Sequence, residues 1–202
     1  VTPAWLLLRA HRWPLHVAGC AGVGLVNTAF GAQRLPVPVP NVGQLDVPLG
    51  LFSPLILSCL LTLQLRPPTR LWETAPRPQG AVRLGLLIAA VIPAALACLP
   101  LWTHSFELAL SGLRNLAGLT GMTLATATVA GSSRGWMTAF PYVLLTLLLG
   151  THGSSASGGR PDHPWWAFVL EQPAETTAAT LSALLALAGS TGYTVFGTRT
   201  EQ

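Results

Sequence analysis

Lysine is absent from the chain, and all eleven positive side chains are arginine. Two kinds of chemistry fall with it. A P-loop nucleotide site needs a lysine at the β/γ-phosphates, and Schiff-base catalysis needs a lysine amine. Charge of either sign is also scarce, at 9% of residues, where a soluble domain carries about 25%. A chain so poor in charge cannot cover a water-facing surface. The only cysteines, Cys20, Cys59 and Cys98, lie singly inside apolar runs with no C-x-x-C spacing, and read as small buried hydrophobes. H-E-x-x-H is missing, and the seven acids fall in loops or at the ends of apolar runs. Enzyme chemistry therefore has no visible foothold.

What the chain has instead is apolar length. Half of its 202 residues are hydrophobic, with a mean hydropathy of +0.52. A helix crossing the hydrocarbon core takes about 20 mostly apolar residues. Candidate spans run from Trp13 to Gln33, Pro48 to Leu65, Val82 to Trp102, Leu108 to Ala130, Trp136 to Gly150, and Thr176 to Gly197. The fifth is short and contains Pro141, which suits a tilted, kinked or partly re-entrant span. The expected fold is thus all-α, a polytopic membrane protein of about six helices forming one transmembrane domain over residues 1–202.

Orientation follows from arginine placement. Arg9, Arg12, Arg66, Arg70, Arg77, Arg83, Arg134 and Arg199 fall on one side, and only Arg34 and Arg160 on the other. The positive-inside rule then puts both termini in the cytoplasm. Arg9 and Arg12 precede the first span and no clear small-residue cleavage site follows it, so no cleavable signal peptide is expected.

Three segments between spans have a character of their own. Pro3–Pro14 mixes tryptophan, leucine and arginine, the make-up of an interfacial amphipathic helix. In the Arg66–Gly80 loop, Thr69 is placed to cap a short helix through Glu73, with prolines at both ends. The segment 151–175 begins Gly/Ser-rich and turns aromatic at Pro164-Trp-Trp-Ala-Phe168, which predicts a short helix dipping into the outer leaflet.

Arg114 is the one charge well inside a span, about 10 Å below its outer end. Glu107 lies seven residues earlier on the same face, and Asn115 is adjacent. Two roles are open for Arg114. It is held structurally, by snorkelling or by Glu107, or it serves substrate contact or helix coupling. Ala178, Ser182, Ala186, Ser190 and Thr194, and Ala117, Gly121 and Ala125, recur at four-residue spacing. Such stripes let helix backbones approach closely in lipid. His152, Asp162 and His163 lack the third or fourth held ligand of a closed metal site. Ser154, Ser155 and Ser157 stand in a Gly/Ser tract, but the last span carries no histidine to act as base. No catalytic, cofactor or metal residue is expected.

The arrangement resembles the membrane subunits of type-2 ABC exporters. Pro3–Pro14, the Arg66–Arg83 loop and Pro164–Glu175 fall where that family has an interfacial helix, a cytoplasmic coupling helix and re-entrant outer helices. Within the loop, Glu73-Thr-Ala-Pro-Arg77 and Arg83 are similar to the family's acidic, Thr-Pro and basic elements, though shortened and richer in proline. The resemblance implies a permease of the bacterial inner membrane, working by ATP-driven export. Its coupling residues would be Arg70, Leu71, Trp72, Glu73 and Arg77. A separate cytoplasmic ATPase would hold ATP and magnesium, and a second permease copy, or a homologue, would complete the path. The alternative is a membrane scaffold or assembly subunit that moves no substrate.

Overall fold

The computed structural model describes residues 12–39, 43–65, 79–150, 164–171 and 175–198. Arg70, Leu71, Trp72, Glu73 and Arg77 lie outside them, as do most of the expected interfacial helix and the outer Ser, His and Asp residues of 151–163. Among the described residues the chain is mostly helical, with six α-helices. These are α1 (Trp13–Phe30), α2 (Ser53–Leu61), α3 (Gln79–Cys98), α4 (Phe106–Ala130), α5 (Trp136–Leu149) and α6 (Thr176–Phe196). Short 3-10 turns lead into α2 at Leu49–Phe52, extend α3 at Leu99–Thr103, and link α4 to α5 at Ser132–Arg134.

A departure from the expected all-α fold lies between α1 and α2. Strands β1 (Arg34–Val39) and β2 (Gly43–Pro48) pair antiparallel as the two arms of a hairpin, with Val37 opposite Leu45 and Leu35 opposite Val47. Pro36 and Pro38 stand two apart in β1. The alternation places both missing donors on the same edge, away from the ladder, which also blunts that edge against further pairing. Val47 is buried, and Val37 and Leu45 pack with it against Leu119, Val143 and Phe168. The expected second span is therefore split. Its first residue closes the hairpin, and its helical part is α2 with the turn before it.

Helix α4 is the central element and, at 25 residues, about 37 Å long. Ser105 caps its start by accepting from the Leu108 amide at 3.0 Å. Its end is set by Gly131 at φ 95°, a value that side-chain-bearing residues rarely adopt. Around it, α6 packs closest, with α2 and α5 on other sides, while α1 lies against α3 and α2. The hairpin, the 99–105 turn and residues 164–171 gather at one end of the bundle. Leu65, Arg83, Gly135 and Thr198 mark the opposite end.

Two helical stretches are long and apolar enough to cross a membrane: Gly80–Thr103, with mean hydropathy 2.4, and Thr176–Phe196, with 1.3. Helices α2 and α5, at 9 and 14 residues, are shorter than a span, and in α1 and α4 polar side chains lower the average but point inward. His16, Asn27, Arg114, Asn115, Thr120 and Thr123 are all buried, while Leu84, Ile88, Ile92 and Leu96 form an exposed stripe down α3. A water-soluble helix has the reverse polarity.

Candidate functional site

Two groups of interior polar side chains link separate segments of the chain by hydrogen bonds. The first joins α1 to α3. Pro93 interrupts α3, and a proline ring removes one helical hydrogen bond and pushes away carbonyls of the preceding turn. His16 Nε2 lies 2.9 Å from the Ala90 carbonyl, and Asn27 Nδ2 donates to the Ala97 carbonyl at 2.8 Å. Asn27 Oδ1 accepts from the Ser53 hydroxyl, so one amide ties α1, α2 and α3 together. His16 also lies 3.6 Å from the Cys20 sulfur. The three cysteines are unpaired, with Cys20 and Cys98 buried. None of His16, Asn27 and Ser53 was singled out from the sequence. Their signal was there in part, since polar residues eleven apart in an apolar helix share a face.

The second group is the candidate site. Residues 164–171 form two successive turns, Ala167 N–H to Pro164 O at 2.8 Å and Leu170 N–H to Ala167 O at 3.0 Å, in place of the expected short helix. The segment nevertheless goes deep. Trp165 stays 69% exposed, whereas Ala167, Phe168 and Val169 are buried. Helix α5 explains the vacancy they fill. At 14 residues it is about 21 Å long, well short of α4, and the segment sits on its end, where Gly150 abuts Ala167.

Irregular backbone inside a helix bundle leaves carbonyls without partners, and each such buried group costs about 1–3 kcal/mol. Three side chains supply the donors. Arg114 Nη2 donates to the Phe168 carbonyl at 2.6 Å and to the Glu171 carbonyl at 2.8 Å. Asn115 Nδ2 donates to the Val169 carbonyl at 3.0 Å. Tyr142 of α5 donates to the Trp166 carbonyl at 2.6 Å, and its ring stacks on Phe168 with centroids 5.1 Å apart. Asn115 Oδ1 in turn accepts from Arg114 Nε and Nη2 at 3.3 and 3.2 Å, which fixes the plane of the guanidinium. A planar fork of donors suits this work, because it can serve several acceptors from one position. Phe168 reaches its place because Gly118 has no side chain. A Cβ there would stand 2.7 Å from the Phe168 ring.

Of the residues expected to matter within the spans, Arg114 and Asn115 thus come together, with Arg114 only 8% exposed. Arg114 does not snorkel outward, and it donates to the Phe168 and Glu171 carbonyls and to Asn115 instead of pairing with Glu107. Glu107 is exposed at the start of α4. With Arg34, His104 and Glu171 it lines an open depression of about 390 Å³ beside the segment. No cluster of three or more metal-ligating side chains occurs among the described residues. No protein-family model matches the chain, and no curated protein or solved structure matches it.

Proposed function

We propose that the chain is the multi-pass permease subunit of an ATP-driven exporter of the type-2 ABC class, working with a separate ATPase subunit. The observation that carries this reading is the clamp of Arg114 and Asn115 on the irregular 164–171 backbone. Non-helical backbone at membrane depth is tolerated where protein buries it or a path needs it, and charged groups placed there mark function more often than support. In this reading 164–171 is the re-entrant outer segment. The reversed polarity of the bundle supports six crossings with lipid around them. Exposed Trp102 and Trp165 at the hairpin end, and exposed Trp136 at the other, suit the two headgroup layers.

The arginine count then assigns the hairpin end to the outside and both termini to the cytoplasm. Single cysteines at Ser155 and Thr200 test this with an impermeant maleimide on intact cells. Ser155→Cys is expected to label and Thr200→Cys only after permeabilisation. The opposite pattern would invert the topology.

ATP and magnesium belong to the partner ATPase, and the first cytoplasmic loop, with Trp72 as its one large aromatic, is where that partner docks. Interface hot spots favour tryptophan, and truncating one costs about 2 kcal/mol or more. Trp72→Ala is therefore expected to lower co-purification of the ATPase by roughly thirtyfold in affinity. Arg70→Glu and Glu73→Arg should have smaller effects that weaken with salt. Unchanged association and unchanged ATPase stimulation in all three variants would sink the exporter reading and favour a scaffold.

A further inference from the structure

We infer that the depression beside the clamped segment holds the phosphoethanolamine headgroup of a membrane lipid, with Glu107 taking the ammonium and Arg34 the phosphate. The inference rests on the multi-pass reading above and not on any ATPase. The depression has a volume of about 390 Å³, and Arg34, His104, Glu107, Ser111 and Glu171 are among its lining residues. That volume falls in the range of small-molecule sites. The protein leaves two of its charges unmatched. Glu171 lies in the field of Arg114. Arg34 and Glu107, both exposed, pair neither with each other nor with another group among the described residues. Two opposite charges that share a cleft without meeting suit a ligand that carries both.

Ser111 points the same way. It is only 6% exposed, yet it lines the depression and its hydroxyl has no hydrogen-bond partner among the described residues. Leaving a buried polar group unpaired is costly, and a ligand oxygen would satisfy it. Ser111 stands one turn beyond Glu107 on the same face of α4, about 6 Å deeper in the bundle. His104 precedes α4 and is exposed. Its Nε2 lies 3.0 Å from the Asn27 carbonyl, which only accepts, so Nε2 carries the proton and Nδ1 of the neutral ring is an acceptor. The deep hydroxyl and the guanidinium can therefore donate to a phosphate, while Glu107 and His104 accept from an ammonium nearer the water. A lipid headgroup has that order when its tails point into the bilayer. The tails have a surface to follow. Phe106 and Leu110, one position before Glu107 and Ser111, are exposed on the adjoining face of α4. No phenylalanine, tyrosine or tryptophan lines the depression among the described residues, so it lacks the aromatic cage that suits a choline headgroup.

Native mass spectrometry of the full chain in detergent, titrated with single lipids, tests the assignment. Phosphatidylethanolamine is expected to bind about tenfold more tightly than phosphatidylglycerol, which lacks the ammonium, or phosphatidylcholine, which lacks its N–H donors. Glu107→Gln should erase the preference over phosphatidylglycerol. Arg34→Gln should weaken both lipids by about tenfold, and Ser111→Ala should weaken both more mildly. Asp46→Asn removes an exposed charge from the hairpin, outside the lining of the depression, and should change nothing. Equal affinities for the three lipids, or a preference that survives Glu107→Gln, would overturn the inference. O-phosphoethanolamine, the headgroup without tails, should compete only at far higher concentration. Competition at the lipid's own concentration would mean a soluble zwitterion and would overturn the lipid assignment. The titration contains no ATPase, so failure of this site and failure of the exporter reading are separate results.

Discussion

Arg114→Leu is expected to free residues 164–171 and to lower the unfolding free energy by roughly 2–6 kcal/mol. The figure takes about 1–3 kcal/mol for each unpaired carbonyl, with the half-buried Glu171 group toward the low end. Those carbonyls are Phe168 O and Glu171 O, both held by one guanidinium nitrogen. Arg114→Lys should fall between, because an ammonium keeps the charge but lacks the planar fork. Asn115→Leu should cost less on its own, since its amide holds only the Val169 carbonyl. The two losses will not add, because the Asn115 oxygen also orients Arg114. Denaturant unfolding in nanodiscs gives the stability, and hydrogen exchange in 164–171 shows where it was lost. A leucine variant as stable as the parent, with the segment still protected, would mean that the stacking of Tyr142 on Phe168 suffices and the clamp is incidental.

That site was half legible in the sequence. Arg114 announces itself as a charge in an apolar run, and Asn115 sits beside it. Their acceptors do not announce themselves. Main-chain carbonyls at 168, 169 and 171 carry no residue signature, and they lie more than fifty positions downstream. Glu107 was the more visible partner because side-chain charge is what a sequence displays. The pair Trp165-Trp166 suggested headgroup depth, which fits exposed Trp165 but gave no hint that the next three residues enter the bundle.

The helices themselves were easier. Five apolar runs became α1, α3, α4, α5 and α6 with ends displaced by a few residues, since hydrophobic length sets them. The hairpin was missed although its signal exists. Leu35, Val37 and Val39, then Leu45 and Val47, alternate with period two. Two prolines in β1 argue against a central strand, and only in an edge ribbon do they fit. The small-residue stripe of α6 was legible as packing but drifts from the expected positions. Ala178 and Ser182 are buried as expected, and beyond them the buried positions are Gly189 and Tyr193. Ser190 and Thr194 are only half-buried. A strict four-residue step advances further round the helix than 3.6 residues per turn, so the true seam falls behind it.

The second large effect is expected at that seam. Gly189→Ala and Gly121→Ala should each destabilise at or above the top of the roughly 1–3 kcal/mol range for overpacked cores. The reason is what the new methyl group meets. At Gly189 it would lie 2.1 Å from the Gly121 carbonyl oxygen, and at Gly121 2.2 Å from the Leu185 carbonyl oxygen. Neither obstacle is a side chain that can change rotamer, so the two helices must separate along their whole contact. Separation would also loosen Gly118 against Ser182 and Phe168, and so reach the clamp. Gly192 on the same helix, and Gly22 and Gly85 on α1 and α3, have nothing within 4 Å of a built Cβ. Alanine at those three should be neutral or stabilising by about 0.5–1 kcal/mol, through lower backbone entropy in the unfolded chain. The set thus contrasts the same substitution at positions that differ only in their neighbours. Unfolding midpoints in nanodiscs for all five variants decide the matter. If Gly121→Ala and Gly189→Ala unfold with the controls, α4 and α6 do not touch at backbone distance.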